Sequence, residues 1–480
     1  MQIEQFYVGG LGHQSYLVVD EETQTAAVVD PRRDIDVYLN AAQVANARIT
    51  HIFETHVHND YVTGARELAA RVGATIVNAA AAGLRYDHQG VNDGDRVTVG
   101  SLVFAALATP GHTPAHVSYA VYEQGASDPT AVFTGGSMMA GSAGRTDLVA
   151  PGMTVTLTRA QYHSLRRLLD TLPATTRVYP THGAGSFCGA TRSADAARFS
   201  TIGQERLVSP AAHTDEASFV KAQLAGFGVY PTYYAYMHGI NQRGPRVLGE
   251  LPTPAPLSPH AVQAQMQDGV PLIDGRGRDA FAHEHVPGSL NIELDENFGT
   301  YVGWLTPFNA PVLLQVEDAD GRREAVAQLI RIGYEQVNGY LEGGIVAWKA
   351  AGLPVESFER MSVDELYRRW SHDPALVVLD VRDDQEWAAG HIPGAQHIHI
   401  GDLMRHLNAP PREAQIAVIC RSGHRAEIGA SILAATGRHV IAVQGGAPDW
   451  IDAGYPTEVG ATQPVSESQR AYAAAEHAHP

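Results

Sequence analysis

The sequence predicts a multidomain α/β protein, and three observations carry that prediction. The chain has 480 residues, and at roughly 150 residues per domain this implies about three domains rather than one core. Two stretches in its C-terminal half are copies of one another, the mark of a duplicated unit. Short β-branched runs alternate with helix-like segments, the rhythm of parallel strands covered by helices. Apolar residues at 44% and charged residues at 18% supply ordinary buried cores and exclude a disordered or collagen-like chain.

Charge and termini narrow the setting. A net charge of −18 with no run of Lys or Arg repels phosphate backbones, so neither nucleic acid nor an anionic membrane is an expected partner. The opening Met1-Gln2-Ile3-Glu4-Gln5-Phe6-Tyr7 lacks the basic-then-apolar order of a secretory signal. The weakly polar stretch 72–84 is too short and Ala-rich to span a bilayer. Only Cys188 and Cys420 are present, too few for a disulfide framework. A reducing cytoplasm is the expected compartment, where a cysteine matters for its reactivity.

Pro-rich seams divide the chain. Leu251-Pro252-Thr253-Pro254-Ala255-Pro256 and Gly352-Leu353-Pro354-Val355 read as linkers and set domains at 1–250, 257–356 and 361–460, with a polar, Ala-rich tail over 461–480 that is expected to fray. In the first domain, strand-like residues 15–19 and 25–30 precede a helix over 36–46 and a strand over 49–55, which ends in a histidine cluster. Sites of α/β sheets collect at such strand ends. The second and third domains repeat at an offset of about a hundred residues: Asp274-Gly275-Arg276 with His285-Val286-Pro287-Gly288, then Asp380-Val381-Arg382 with His391-Ile392-Pro393-Gly394. Gly343-Gly344 with Trp348 recurs likewise as Gly445-Gly446 with Trp450.

The histidine cluster reads Thr55-His56-Val57-His58-Asn59-Asp60, joined downstream by Thr109-Pro110-Gly111-His112 and Pro180-Thr181-His182. Imidazoles on separate strand-end loops suit a first-row divalent metal. His56-x-His58-x-Asp60, Pro110-Gly111-His112-Thr113 and His182 resemble the metallo-β-lactamase fold over about the first 200 residues. Gly144-Arg145-Thr146-Asp147-Leu148 and His182-Gly183-Ala184-Gly185-Ser186 resemble its persulfide dioxygenase branch. The resemblance implies an αββα sandwich, followed by two further α/β domains with parallel sheets.

Two departures from the family pattern shape the expected chemistry. The histidine that follows the aspartate in the family's hydrolases is Tyr61 here, and the family's Phe-Thr-Gly-Asp reads Phe133-Thr134-Gly135-Gly136. A two-zinc hydrolase is therefore disfavoured. The branch implies one Fe(II) per N-terminal domain, with Zn2+ or no metal as the alternatives. His56, His58 and His112 are the expected ligands, while Asp60, Tyr61 and His182 either orient them from behind or take over as ligands. Arg145 and Asp147 are a paired clamp or a substrate anchor, with the structural role favoured. Cys188, six residues after His182, is either a sulfur relay or a packing residue.

In the third domain, Cys420-Arg421-Ser422-Gly423-His424-Arg425 follows the apolar run 416–419 and opens a helix near Ala426. Backbone N–H groups, the positive helix end and two guanidinium groups then favour thiolate over thiol, and equally favour the terminal sulfur of a cysteine persulfide. With Asp380, Arg382 and His391 to Ala395, this loop resembles the rhodanese family across the whole second copy. Four residues separate Cys420 from Arg425, one fewer than a tyrosine-phosphatase-like cradle needs to wrap a phosphate. The first copy reads Leu313-Leu314-Gln315-Val316-Glu317-Asp318, has no thiol, and is expected to be a spacer or docking platform.

Together the resemblances imply oxidation of a small persulfide such as glutathione persulfide by O2 to sulfite, with a Cys420 persulfide passing sulfur on to form thiosulfate. Fusing the two activities raises the effective concentration of a shared intermediate. A thioester-hydrolysing zinc domain, or a metal-free binding module attached to the rhodanese, is the alternative. A homo-oligomer stays open.

Overall fold

The computed structural model describes residues 1–183, 185–189 and 199–460; the expected tail over 461–480 lies outside the described residues. The chain divides into two compact units, one taking in Met1–Leu251 and Ile330–Gly333, the other Pro252–Leu329 and the residues from Tyr334 onward. No helix among the described residues is long and apolar enough to cross a membrane.

The first unit is built on two six-stranded sheets. One opens with the antiparallel strands Gln2–Val8, His13–Asp20 and Thr25–Val29 and continues in parallel through Arg48–Phe53, Thr75–Ala79 and Gln89–Val91. The other runs antiparallel through Arg96–Val99, Leu102–Ala108, Val117–Tyr122 and Ala131–Gly135, and then places Arg177–Pro180 parallel to the last of these. Period-two alternation sends Tyr16, Val18, Phe53 and Val77 from one sheet against Phe104, Tyr119 and Phe133 from the other, forming the central core. The opposite faces are covered by helices Asp36–Val44 and Ala65–Val72 on one side and by Thr154–Thr171 and Glu216–Gly226 on the other. This is an αββα sandwich. Because both sheet faces are buried, all eight residues of His13–Asp20 are buried.

The second unit holds two five-stranded sheets of all-parallel strands. In the first copy, Leu272–Asp274 lies between Leu290–Asn291 and Val312–Gln315. In the second, Val377–Asp380 lies between Gln396–His397 and Ile416–Ile419. Asp274 pairs with Gln315 in one copy and Asp380 with Ile419 in the other. By that register Val316 occupies the place of Cys420. Helix Ala319–Arg331 starts three residues after Val316, whereas helix His424–Ala434 starts four after Cys420, so the first copy lacks a loop residue as well as the thiol.

The repeated Asp-x-Arg motif has the same structural use in both copies. Arg382 lies on the Asp380 carboxylate through Nε (3.0 and 2.9 Å) and Nη2 (2.7 Å) and donates to the Gly390 carbonyl at 2.7 Å. Arg276 does the same with Asp274 and the Glu284 carbonyl. Each pair is buried and staples a strand end to the turn after the next helix. Replacing Arg382 with Met leaves the Asp380 charge buried and unpaired; urea unfolding of the second unit is expected to show a loss of about 3–5 kcal/mol.

Candidate functional site

The strand ends of the first unit converge on a buried pocket of histidines. The loop after Arg48–Phe53 supplies His56, His58 and Asp60, the turn before Val117–Tyr122 supplies His112 and His116, and the loop after Arg177–Pro180 supplies His182; all six are almost fully excluded from solvent. His56, His112 and His182 each offer a ligand atom within 4.8 Å of the others, and so do His58, Asp60 and His182, and Asp30, Glu54 and His58. His56 Nε2 lies 3.4 Å from His182 Nε2. His112 anchors Nδ1 on the Arg145 carbonyl at 2.7 Å, and its Nε2 has no hydrogen-bond partner among the described residues. A buried imidazole nitrogen left without a partner is what a metal ligand leaves behind, so the donor set fits a divalent cation.

The sequence grouped His58 with His56 and His112; the structure brings the ligand atoms of His56, His112 and His182 together, and the His58 ring packs 4.2 Å from that of His56. His58 turns Nε2 to Asp30 Oδ1 at 3.2 Å. Burial opposes a charge on His58, yet the Asp30 carboxylate outweighs it and raises the pKa. Burial and the neighbouring rings push His56 well down, and burial brings His112 to about 3, so both are neutral nitrogen donors. Tyr61 donates to the Asp30 carbonyl at 3.2 Å and packs on the rings of His13 and His58. Burial pushes its phenol well up, making it a packing group rather than a ligand.

Three further residues, not singled out in the sequence, organise this pocket. Asp30 is a carboxylate at the end of a buried strand, and that placement was the available signal. It accepts from the Thr55 N–H and hydroxyl, both at 2.7 Å, and from the Thr181 hydroxyl. His116 stands four residues after His112 and takes the Gly136 N–H on Nε2 at 3.0 Å. Glu54, beside Asp30, is pushed up to about 7 by burial and accepts from the Thr63 hydroxyl at 2.5 Å.

Arg145 is a clamp. Its guanidinium grips Asp147 at 2.7 and 2.8 Å, donates to the carbonyls of Phe187 and Gly228, and is faced by the rings of Phe227 and Tyr230. Little of it remains for a substrate. Cys188 is buried beside Asp60; burial and that carboxylate's charge push its thiol well up, which favours the packing reading for this cysteine.

In the second unit Cys420 follows the buried strand Ile416–Ile419 directly and is itself 1% exposed. Gly423, at φ 85°, turns the chain into helix His424–Ala434, aiming the helix N-terminus at the loop. The loop also needs Gly446, where a Cβ would stand 1.9 Å from the Arg421 carbonyl oxygen. Sequence reasoning gave the sulfur two guanidinium groups. The structure pairs Arg425 with Glu386 through two hydrogen bonds of 2.6 and 2.8 Å and leaves Arg421 exposed, so most of Arg425's charge is already balanced.

The thiol-less first copy is part of this loop's surroundings. Arg278 donates to the Ser422 carbonyl at 3.3 Å and is itself anchored on Glu293 at 2.8 Å. His424 Nδ1 lies 3.5 Å from Asp295, and its ring meets Tyr301 edge-on at 5.2 Å. Glu427, one turn into the helix, faces Arg360 at 3.2 Å. Burial, relieved in part by Arg360 and Arg278 and reinforced by Glu293, pushes Glu427 up to about 7. An acid with a raised folded pKa costs stability as pH climbs from its unfolded value near 4.5 through about 7. The Glu427→Gln variant is therefore expected to gain in urea midpoint over the parent at pH 8 and to lose that advantage at pH 4.5.

Comparison with known proteins agrees with these geometries. The metallo-beta-lactamase superfamily is matched over residues 8–182 and the rhodanese-like domain over 258–351 and 362–453. The chain is 29% identical over 211 residues to the mitochondrial persulfide dioxygenase ETHE1 of Homo sapiens, covering 43% of this chain and 74% of that protein. It is 34% identical over 167 residues to a hydroxyacylglutathione hydrolase of Pseudomonas syringae pv. syringae, covering 35% and 60%. The solved metallo-beta-lactamase from Staphylococcus aureus subsp. aureus COL covers 71% of this chain and 98% of its own at 29% identity, with a TM-score of 0.63. With its histidine sandwich in front and two parallel-sheet copies behind, the chain belongs to the metallo-beta-lactamase superfamily through its first unit and carries two rhodanese-like domains in its second.

Proposed function

We propose that this chain is a bifunctional enzyme of persulfide metabolism. The first unit oxidises a low-molecular-weight persulfide, with glutathione persulfide as the probe, and the second moves sulfane sulfur through Cys420. The observation that carries the reading is one chain holding both a buried imidazole pocket and a cysteine at a strand end under a helix N-terminus. Two such sites share one chemical currency, the persulfide. The persulfide dioxygenase relative and the rhodanese-like domains support the same reading.

For the first reaction, RSSH + O2 + H2O gives RSH, sulfite and two protons. A redox-active metal held by the imidazoles would supply open positions for both reactants. The chain's own residues exclude water from the pocket, keep the imidazoles neutral and hold them on Asp60, Thr55 and the Arg145 carbonyl. For the second, the Cys420 thiolate attacks the outer sulfur of a persulfide RSSH, breaking its S–S bond and releasing RS⁻; the resulting Cys–S–SH loses its proton to give Cys–S–S⁻, and sulfite then attacks the terminal sulfur, releasing thiosulfate and the thiolate. The loop N–H groups and helix end stabilise the anion at each stage.

A second reading, a zinc thioester hydrolase fused to the sulfurtransferase, draws on the hydroxyacylglutathione hydrolase relative. Tyr61 and Gly136 stand where a second metal would need ligands, which weakens it. Cys420→Ser is expected to abolish thiosulfate-dependent sulfur transfer while O2 uptake on glutathione persulfide continues; His56→Ala should do the reverse. Iron content with O2 consumption supports the proposal. Zinc content with thioester hydrolysis and no O2 uptake overturns it.

A further inference from the structure

Position 136 is where the family pattern would put a carboxylate, and the structure gives its glycine a reason. The His112 ring lies directly on the Gly136 Cα: a Cβ there would stand 2.2 Å from His112 Cδ2 and 2.7 Å from its Cγ and Nε2. Neither partner has room to retreat. His112 is pinned by Nδ1 on the Arg145 carbonyl and by its N–H on Gln161 Oε1, both at 2.7 Å. The Gly136 peptide is pinned by its N–H on His116 at 3.0 Å and by its carbonyl, which accepts from the Gly144 N–H at 3.1 Å.

A third ligand comes from elsewhere. In His56 and His112 the Nδ1 atom is engaged, by the Thr55 hydroxyl at 2.9 Å and by the Arg145 carbonyl, while His182 Nδ1 lies 3.1 Å from the Asp60 carboxylate. Among the described residues the Nε2 atoms of His56 and His182 meet only each other, and that of His112 has no hydrogen-bond partner. The 3.4 Å between the Nε2 atoms of His56 and His182 matches the separation of about 3.3–3.4 Å that two nitrogens take on a tetrahedral metal at 2.0–2.1 Å. His58 has the opposite sense, with Nε2 on Asp30 and Nδ1 without a partner among the described residues.

We propose that the metal centre of this chain is a three-imidazole site made by His56, His112 and His182, with Asp60 orienting His182 and with glycine required at position 136. His182 does the work that a carboxylate at 136 would do, and His58 belongs to the Asp30 scaffold instead. With no anionic protein ligand, the full charge of a dication stays available to an anionic sulfur of the substrate. This rests on the proposed metal-dependent reading of the first unit.

The test is Co(II) titration of the full chain, read by its visible ligand-field absorption and by metal content after desalting. Circular dichroism and Cys420-dependent sulfur transfer serve as folding controls. His182→Ala is expected to lose the spectrum, and Asp60→Asn to weaken binding about 10–100-fold. Gly136→Asp is expected to bind Co(II) at least about tenfold more weakly than the parent, despite gaining a carboxylate. His58→Gln is expected to retain the spectrum. If Gly136→Asp disturbs folding, Gly136→Asp in a His112→Ala background, where the ring is gone, should restore it. Tighter binding by Gly136→Asp, or unaltered binding by His182→Ala, overturns the ligand assignment. A parent protein that takes up no metal overturns the metal-dependent reading itself.

Discussion

The first unit depends on one buried carboxylate. Asp30 ends the strand Thr25–Val29, takes the N–H and hydroxyl of Thr55 and the hydroxyl of Thr181, and pairs with His58. Thr55 begins the loop of His56, and Thr181 precedes His182. Two loops from two different sheets are therefore set against each other by a single side chain. Burial opposes the charge on Asp30, yet the His58 pair and the hydrogen bonds hold its pKa below the ordinary value. Removing one partner of such a buried charge costs about 3–5 kcal/mol. Its backbone joins in: its carbonyl accepts from Tyr61 and lies 2.9 Å from His13 Nε2, and its N–H donates to the Phe53 carbonyl.

The second unit reaches specificity by a different route. Both copies share the parallel sheet, the Asp–Arg staple and the Trp indole held on a proline carbonyl, at 2.8 Å from Trp348 to Pro354 and from Trp450 to Pro456. They differ at the end of one strand. Val316 stands in the place of the cysteine and Glu317 in that of Arg421, which removes the nucleophile and puts an acid beside its place. What the first copy keeps is a surface that meets the Cys420 loop through Arg278, Asp295 and Tyr301. Its contribution is positional, since those groups reach the loop backbone and His424 rather than the sulfur.

Much of this was legible in one sequence. The repeat exposed two homologous domains because the Asp-x-Arg and Gly-Gly motifs sit at fixed structural turns. The histidine loops were visible because the strand-end histidines cluster within a few residues of one another. Helix and strand positions followed from periodicity, with differences of one or two residues at the ends: the strand expected over 49–55 is Arg48–Phe53, which puts Glu54 and Thr55 in the loop that carries the site.

The sequence alone determined which chemistry-bearing residue types are present, that they lie on strand ends, and that only one of two copies carries a thiol. Those facts depend on local order along the chain. Tertiary structure alone decided that the ligand atoms of His56, His112 and His182 lie together, that His58 faces Asp30, that Arg425 is committed to Glu386, and that the His112 ring lies where a Cβ at position 136 would stand. Each of these depends on side chains from segments far apart in the chain meeting in a dry interior, where one hydrogen bond fixes a ring's direction and a single Cβ would collide with it.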